Sequence, residues 1–200
     1  MPELTPRGVL CSSEPPSYLT DGTRTCNMPA TITYGSGGGG DHVHGLKRGP
    51  LRAAVALPVL FALFGTVLVG GSGLEWYEGL EKPGFLVSLG IFYLVGALYY
   101  VLFALVLYRV LSRVGDTRGR VISLGLTVGV MLLNELWNYA FFGLRSTLAG
   151  FLGIVVFLVL LTALVAALLR YERFSAVLLV PYYLWVLYDL AWTYELWRLN

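Results

Sequence analysis

The chain has 200 residues, a length that suits one soluble domain, but 56% of them are hydrophobic, 13% are charged and the mean hydropathy is +0.70. Soluble domains carry about 25% charged residues, so this composition belongs to a membrane protein. A formal charge of +2, with no basic run interleaved with aromatics, argues against a nucleic-acid partner.

Residues 1–50 differ from the rest. They hold much of the Pro, Ser and Thr, and the linker-like run Gly35-Ser36-Gly37-Gly38-Gly39-Gly40. They lack the continuous apolar region of a signal peptide, so a disordered polar tail is expected there. Cys11 and Cys26 both fall in it and define neither a disulfide framework nor a metal site. Asp41-His42-Val43-His44 is read as solvated tail rather than as a metal ligand set.

Residues 51–200 form one membrane domain. A bilayer core takes about 20 apolar residues per helix. Residues 54–71 give a first span, with Pro58 near its start, and 85–108 a second. Residues 121–144 give a third span, interrupted only by Glu135; 146–169 give an uncharged fourth and 174–198 a fifth. Irregular backbone finds no hydrogen bonds in lipid, so the expectation is an all-α membrane protein, a bundle of five transmembrane helices. The last three connections are short, which implies antiparallel neighbours. No internal repeat is evident, and five spans do not divide into the equal halves of many transporters.

Lys and Arg near the span ends set the orientation. Lys47, Arg48, Arg52, Arg109, Arg113, Arg118, Arg120, Arg170 and Arg173 share one side, nine against Lys82, Arg145 and Arg198 on the other. This predicts a multi-pass integral membrane protein with its N-terminus cytoplasmic and its C-terminus extracytoplasmic.

Trp76 and Tyr77 directly follow the first span, where amphipathic rings favour the headgroup region. Pro83 reads as a start signal for the second helix. In the third span Asn134, Glu135 and Asn138 fall within one turn, and 135, 138 and 142 share a face. An Asn at such depth often only bonds a neighbouring helix, worth about 0.6 kcal/mol. A carboxylate there costs about 2.5–3.5 kcal/mol on insertion scales and faces the bundle interior or a cavity. In the fifth span Tyr182, Trp185, Asp189 and Trp192 recur at i, i+3, i+7 and i+10, an aromatic face with one acid. An all-aromatic stripe would be ordinary packing; the acid points to a cavity. Glu195 and Arg198 are expected to pair at the interface.

At these residues the sequence resembles the TspO/MBR family, the tryptophan-rich sensory proteins related to the mitochondrial translocator protein. The matches are Trp76-Tyr77-x-Gly79-Leu80-x-Lys82-Pro83, then Phe92 and Tyr100, then Asn134, Trp137 and "FFGLR" (141–145), then "PYYLWV" (181–186) and "WRLN" (197–200). They run in order over about residues 55–200. The resemblance implies a five-helix bundle, often a homodimer, with a pocket between helices beneath the first connection. It implies a hydrophobic ligand, a tetrapyrrole such as porphyrin or haem, a sterol or an isoprenoid-like molecule, bound for sensing, regulation or transport. No cofactor is required, and light-dependent porphyrin breakdown is the one enzymatic role it suggests. The implied pocket comprises Trp76, Tyr77, Pro83, Phe92, Tyr100, Asn134, Trp137, Phe142, Trp185 and position 189. The reading of the spans adds Glu135, Asn138 and Tyr182.

The departures matter as much. Val87-Ser88 stands where the family has Pro-Pro, Gly96 where it commonly has Trp, Glu135 where it has an apolar residue, and Asp189 where it has a small one. Asp189 is expected to face Glu135 across the pocket. Ionised, both acids would repel porphyrin carboxylates. Either they are protonated by desolvation, or this member prefers a cationic or hydrogen-bonding ligand. The alternative function is a small-solute or proton-coupled carrier with Glu135 and Asp189 as relay groups. No nucleophile–base pair or phosphate loop suggests other catalysis.

Overall fold

The computed structural model describes residues 48–200. The expected tail therefore lies outside the described residues, with both cysteines and the His42/His44 segment, except that positions 48–50 already open the first helix.

Five helices follow one another: α1 (Arg48–Glu78), α2 (Leu89–Arg113), α3 (Thr117–Asn138), α4 (Thr147–Tyr171) and α5 (Arg173–Leu199). All five are long and apolar enough to cross a membrane. Their outer surfaces carry exposed side chains such as Leu63, Val67, Val159 and Leu184, which suit hydrocarbon and not water. Pro58 and Pro181 lie inside α1 and α5, where each removes one helical N–H. Neighbouring helices commonly make this tolerable within membranes.

Three boundaries depart from the expected spans. α1 continues seven residues past position 71, to Glu78, so Trp76 and Tyr77 occupy its last turn rather than a connection. α2 starts at Leu89, and Pro83 instead opens a turn closed by Leu86 N–H on its carbonyl at 3.0 Å. α3 runs directly into a π-helical turn, Tyr139–Gly143, marked by Leu144 N–H on Tyr139 O at 2.9 Å. The extra residue in this turn re-aims Phe141 and Phe142 relative to α3. Arg145 ends it with φ of 52°, a left-handed conformation uncommon outside glycine.

α4 packs along α3 and α5; α1 packs on α2, on α3 and on the π turn; and α2 also meets α3 and α5. Among the described residues no Cα of α1 comes within 8 Å of one of α5. One packed cluster fills the end of the bundle where α2 stops and α4 meets α5, around Phe103, Val106, Val110, Met131, Phe157, Leu164 and Leu179. A second, aromatic cluster of Tyr77, Phe141, Trp192 and Leu196 closes the opposite end.

The filled end is also tied by charge. Arg109 of α2 grips Glu172, in the α4–α5 connection, through two bonds of 3.1 and 2.7 Å. Glu172 also caps α5 by accepting Ser175 N–H at 2.7 Å. Burial alone would raise this carboxyl, but the Arg109 and Ser175 N–H bonds and the Arg109 charge hold it below its ordinary value. At the other end Arg198 reaches Glu195 at 3.3 Å, an exposed pair of little energetic weight.

Because the folded value of Glu172 is depressed, its contribution is complete above the ordinary carboxylate value of 4.5 and fades as pH falls through the folded value. Glu172→Gln should therefore lower stability at neutral pH by about 1–2 kcal/mol. Thermal unfolding of detergent-solubilised protein from pH 7 to pH 3 should show the wild type converging on the variant in acid.

Candidate functional site

Between the two packed clusters lies a cavity of about 600 Å³. α1 contributes Ala62, Gly65, Thr66 and Val69, and its last turns Leu74 and Tyr77. α2 contributes Phe92, Gly96, Tyr99 and Tyr100, α3 contributes Asn134, Trp137 and Asn138, and the π turn contributes Phe142. α5 contributes Tyr182, Trp185, Asp189 and Trp192, the four-residue face anticipated from spacing. α4 stands behind and lines none of it. Thr66 and Tyr93 line the cavity and are also exposed on the outer surface, so it opens sideways between α1 and α2.

Ten of the thirteen anticipated residues meet at this cavity: Tyr77, Phe92, Tyr100, Asn134, Trp137, Asn138, Phe142, Tyr182, Trp185 and Asp189. Three do not. Trp76 points away from it, edge-on to Phe141 at 5.4 Å, and lines a smaller polar depression with Arg145, Trp197 and Asn200. Pro83 is buried in the connection and shapes its turn.

Glu135 is the third and most consequential exception, for it stands behind the wall instead of facing Asp189 across the cavity. Its side chain is 0% exposed. Oε1 accepts Tyr100 O–H at 2.8 Å and Asn134 Nδ2–H at 3.1 Å, and Oε2 accepts Asn138 Nδ2–H at 3.2 Å. The carboxylate lies against Gly65 of α1, where any Cβ would collide with Oε2 and crowd the Tyr100 hydroxyl. One acid thus joins α1, α2 and α3, and three bonds offset the cost of burying it. Asp189 belongs to a separate set: Trp192 Nε1–H donates to its Oδ1 at 2.7 Å, and Thr193 O–H donates to its backbone carbonyl at 2.6 Å.

The aromatic walls are locked from behind. Trp137 donates Nε1–H to Gly150 O of α4 at 2.9 Å and lies parallel to Phe141 at 5.5 Å. A side chain at Gly150 would strike the Phe141 ring, so the missing Cβ lets α4 seat that ring. Phe92 meets Trp185 and Trp192 edge-on at 5.5 and 5.4 Å.

Residues 79–88 connect α1 to α2, and α5 fastens them twice. Asn200 donates Nδ2–H to Glu81 O at 3.0 Å and accepts Glu81 N–H at 2.9 Å, pairing as a second strand would. Tyr188 O–H accepts Val87 N–H at 2.9 Å and donates to Phe85 O at 3.3 Å. Lys82 caps α1 on Glu78 O at 2.8 Å and lies over the Tyr77 ring at 5.0 Å. The sequence offered no sign of the Tyr188 bonds. Trp192 and Tyr99 were legible as wall residues from their faces, Trp192 by its i+7 spacing from Trp185 and Tyr99 by the same spacing from Phe92.

The comparisons with known proteins agree with the five-helix fold. The model of the TspO/MBR family matches residues 54–198. The chain belongs to the TspO/MBR family. The translocator protein of Homo sapiens is 29% identical over 152 residues, which cover 76% of this chain and 90% of that protein. The tryptophan-rich protein TspO of Archaeoglobus fulgidus is 29% identical over 150 residues, 75% of this chain and 96% of the relative. Protein CrtK of Rhodobacter capsulatus is 27% identical over 125 residues, 62% and 78% of the two chains. The matched region begins inside α1 and spans all five helices of this TspO/MBR member.

Gly65→Ala should displace Glu135 and lower stability by about 1–3 kcal/mol through unsatisfied buried donors. Gly96→Ala, where a Cβ meets nothing within 4 Å, should leave stability unchanged or raise it by under about 1 kcal/mol. Thermal unfolding in one detergent compares the two. Asn200→Ala should speed amide exchange at residues 79–88 while leaving the melting temperature within a few degrees, as for local opening; hydrogen-exchange mass spectrometry reads the first and thermal unfolding the second.

Proposed function

We propose that this TspO/MBR protein binds a flat hydrophobic molecule inside the bundle, for sensing, regulation or transport. The observation that carries the reading is the cavity itself: enclosed on several sides by Phe92, Trp137, Trp185 and Trp192, with amides and one carboxylate at its edge. Its volume of about 600 Å³ suits a polycyclic ligand, and mostly apolar pockets with few convergent polar groups are the usual form of small-molecule sites. A tetrapyrrole is the ligand that the family resemblance suggests first.

We further infer that the N-terminus is cytoplasmic. The Arg109–Glu172 tie brings the end of α2 and the α4–α5 connection together, so Arg109, Arg113, Arg170 and Arg173 gather at one face of the bundle. Such an excess of positive charge favours the cytoplasmic side.

The two acids form separate hydrogen-bonded sets among the described residues, which favours binding over a relay between Glu135 and Asp189. Protoporphyrin titrated into detergent-solubilised protein should quench tryptophan fluorescence saturably at micromolar concentration. Absence of quenching overturns the tetrapyrrole version. Asp189→Ala should tighten binding of this dicarboxylate by several-fold, since like charge at the wall opposes it, and unchanged affinity would show that Asp189 exerts no such repulsion.

A further inference from the structure

Several polar groups at the edge of the cavity already spend a hydrogen within the bundle. Tyr100 gives its hydroxyl hydrogen to Glu135, and Asn134 and Asn138 each give it an N–H. Trp137 gives its indole N–H to Gly150 O, and Thr66 gives its hydroxyl to Leu63 O. Trp192 gives its N–H to Asp189. Asp189 is the one acid among the described lining residues. A carboxylate offers about four lone-pair sites, so the single indole donor of Trp192 leaves most of the accepting capacity of Asp189 unused.

Charge points the same way. Asp189 lines the cavity and Glu135 lies directly behind its wall, yet no Lys, Arg or His is among the described lining residues. Neither acid makes an ion pair among the described residues. Around Asp189 stand Trp185, Trp192 and Tyr182, with Phe92 edge-on to both indoles. A carboxylate set among aromatic rings is the arrangement that takes an ammonium group, through one charge-assisted bond and the quadrupoles of the rings.

We propose that Asp189, framed by Trp185, Trp192 and Phe92, is a cation-selecting subsite, and that the cavity takes a lipophilic molecule carrying a protonated amine in preference to a neutral or anionic one. The inference rests on the cavity's being a ligand site and adds the charge class of the ligand. The ammonium end sits at Asp189, donating to the carboxylate, and the flat apolar body extends toward Trp137 and Phe142.

Three pyrene probes of matched shape test it: 1-pyrenemethylamine, protonated at neutral pH, 1-pyrenemethanol, and 1-pyreneacetate. Energy transfer from tryptophan to pyrene reports binding to the protein in phosphatidylcholine liposomes, with partition into protein-free liposomes subtracted. The quantity read is the ratio of dissociation constants between probes. Wild type should favour the ammonium over the alcohol by about tenfold or more, as for a hydrogen bond to a charged partner, and the alcohol over the carboxylate. Asp189→Asn, whose carbonyl still accepts the Trp192 N–H, should bring the ammonium-to-alcohol ratio close to one; its melting curve verifies the fold. Equal affinities in wild type, or a preference that survives Asp189→Asn, overturns the charge selection while leaving the cavity reading intact. Failure of all three probes to bind overturns both.

Discussion

Lipid removes the force that usually holds a bundle together. Helices with apolar outer faces gain nothing by hiding them from hydrocarbon, so cohesion must come from close contact and from polar groups that have nowhere else to turn. Both devices are visible where α1 meets α2 and α3. Gly65 brings the backbone of α1 against a carboxylate of α3, and that carboxylate also holds a tyrosine of α2. At the far end, glycines of α4 receive the rings of Trp137 and Phe141. The backbones of α1 and α5 stay apart, and the cavity occupies the space between them.

This division also explains why α4 and α5 differ so much in content. α4 is almost wholly aliphatic and serves as a flat support for its neighbours. α5 carries the tyrosines, tryptophans and acid because one side of it meets the cavity and its end holds the connection between α1 and α2. Phe85 and Tyr188 meet edge-on over that connection, so packing and hydrogen bonding reinforce each other there.

The number and order of the helices were legible in the sequence because lipid imposes a length and a composition on each. Their ends were less so. The apolar run places Trp76 and Tyr77 beyond the first span, yet outside the hydrocarbon a helix can carry polar residues, and α1 simply continues. The π turn left no compositional trace. The faces of α3 and α5 were readable at 3.6 residues per turn, which correctly grouped Tyr182, Trp185, Asp189 and Trp192. For Glu135 the same reasoning gave the right face and the wrong depth, since helical spacing fixes direction but not which neighbouring side chains stand in front. Tyr100, from another helix, closes over the carboxylate, and no pattern within α3 could reveal it. Trp76 was misplaced for a related reason: it and Tyr77 are adjacent, so one turns to the cavity and the other to the outside of the π turn.

The sideways opening at Thr66 and Tyr93 has a consequence for how occupancy scales. A lipid-soluble molecule arriving there comes from the membrane, so what fills the cavity is its mole fraction among lipids, not its molarity in water. Diluting such a membrane suspension with buffer would barely empty the site, whereas adding blank vesicles would draw the ligand out. For any such molecule the bilayer would be at once the solvent of the protein, the reservoir and the competitor.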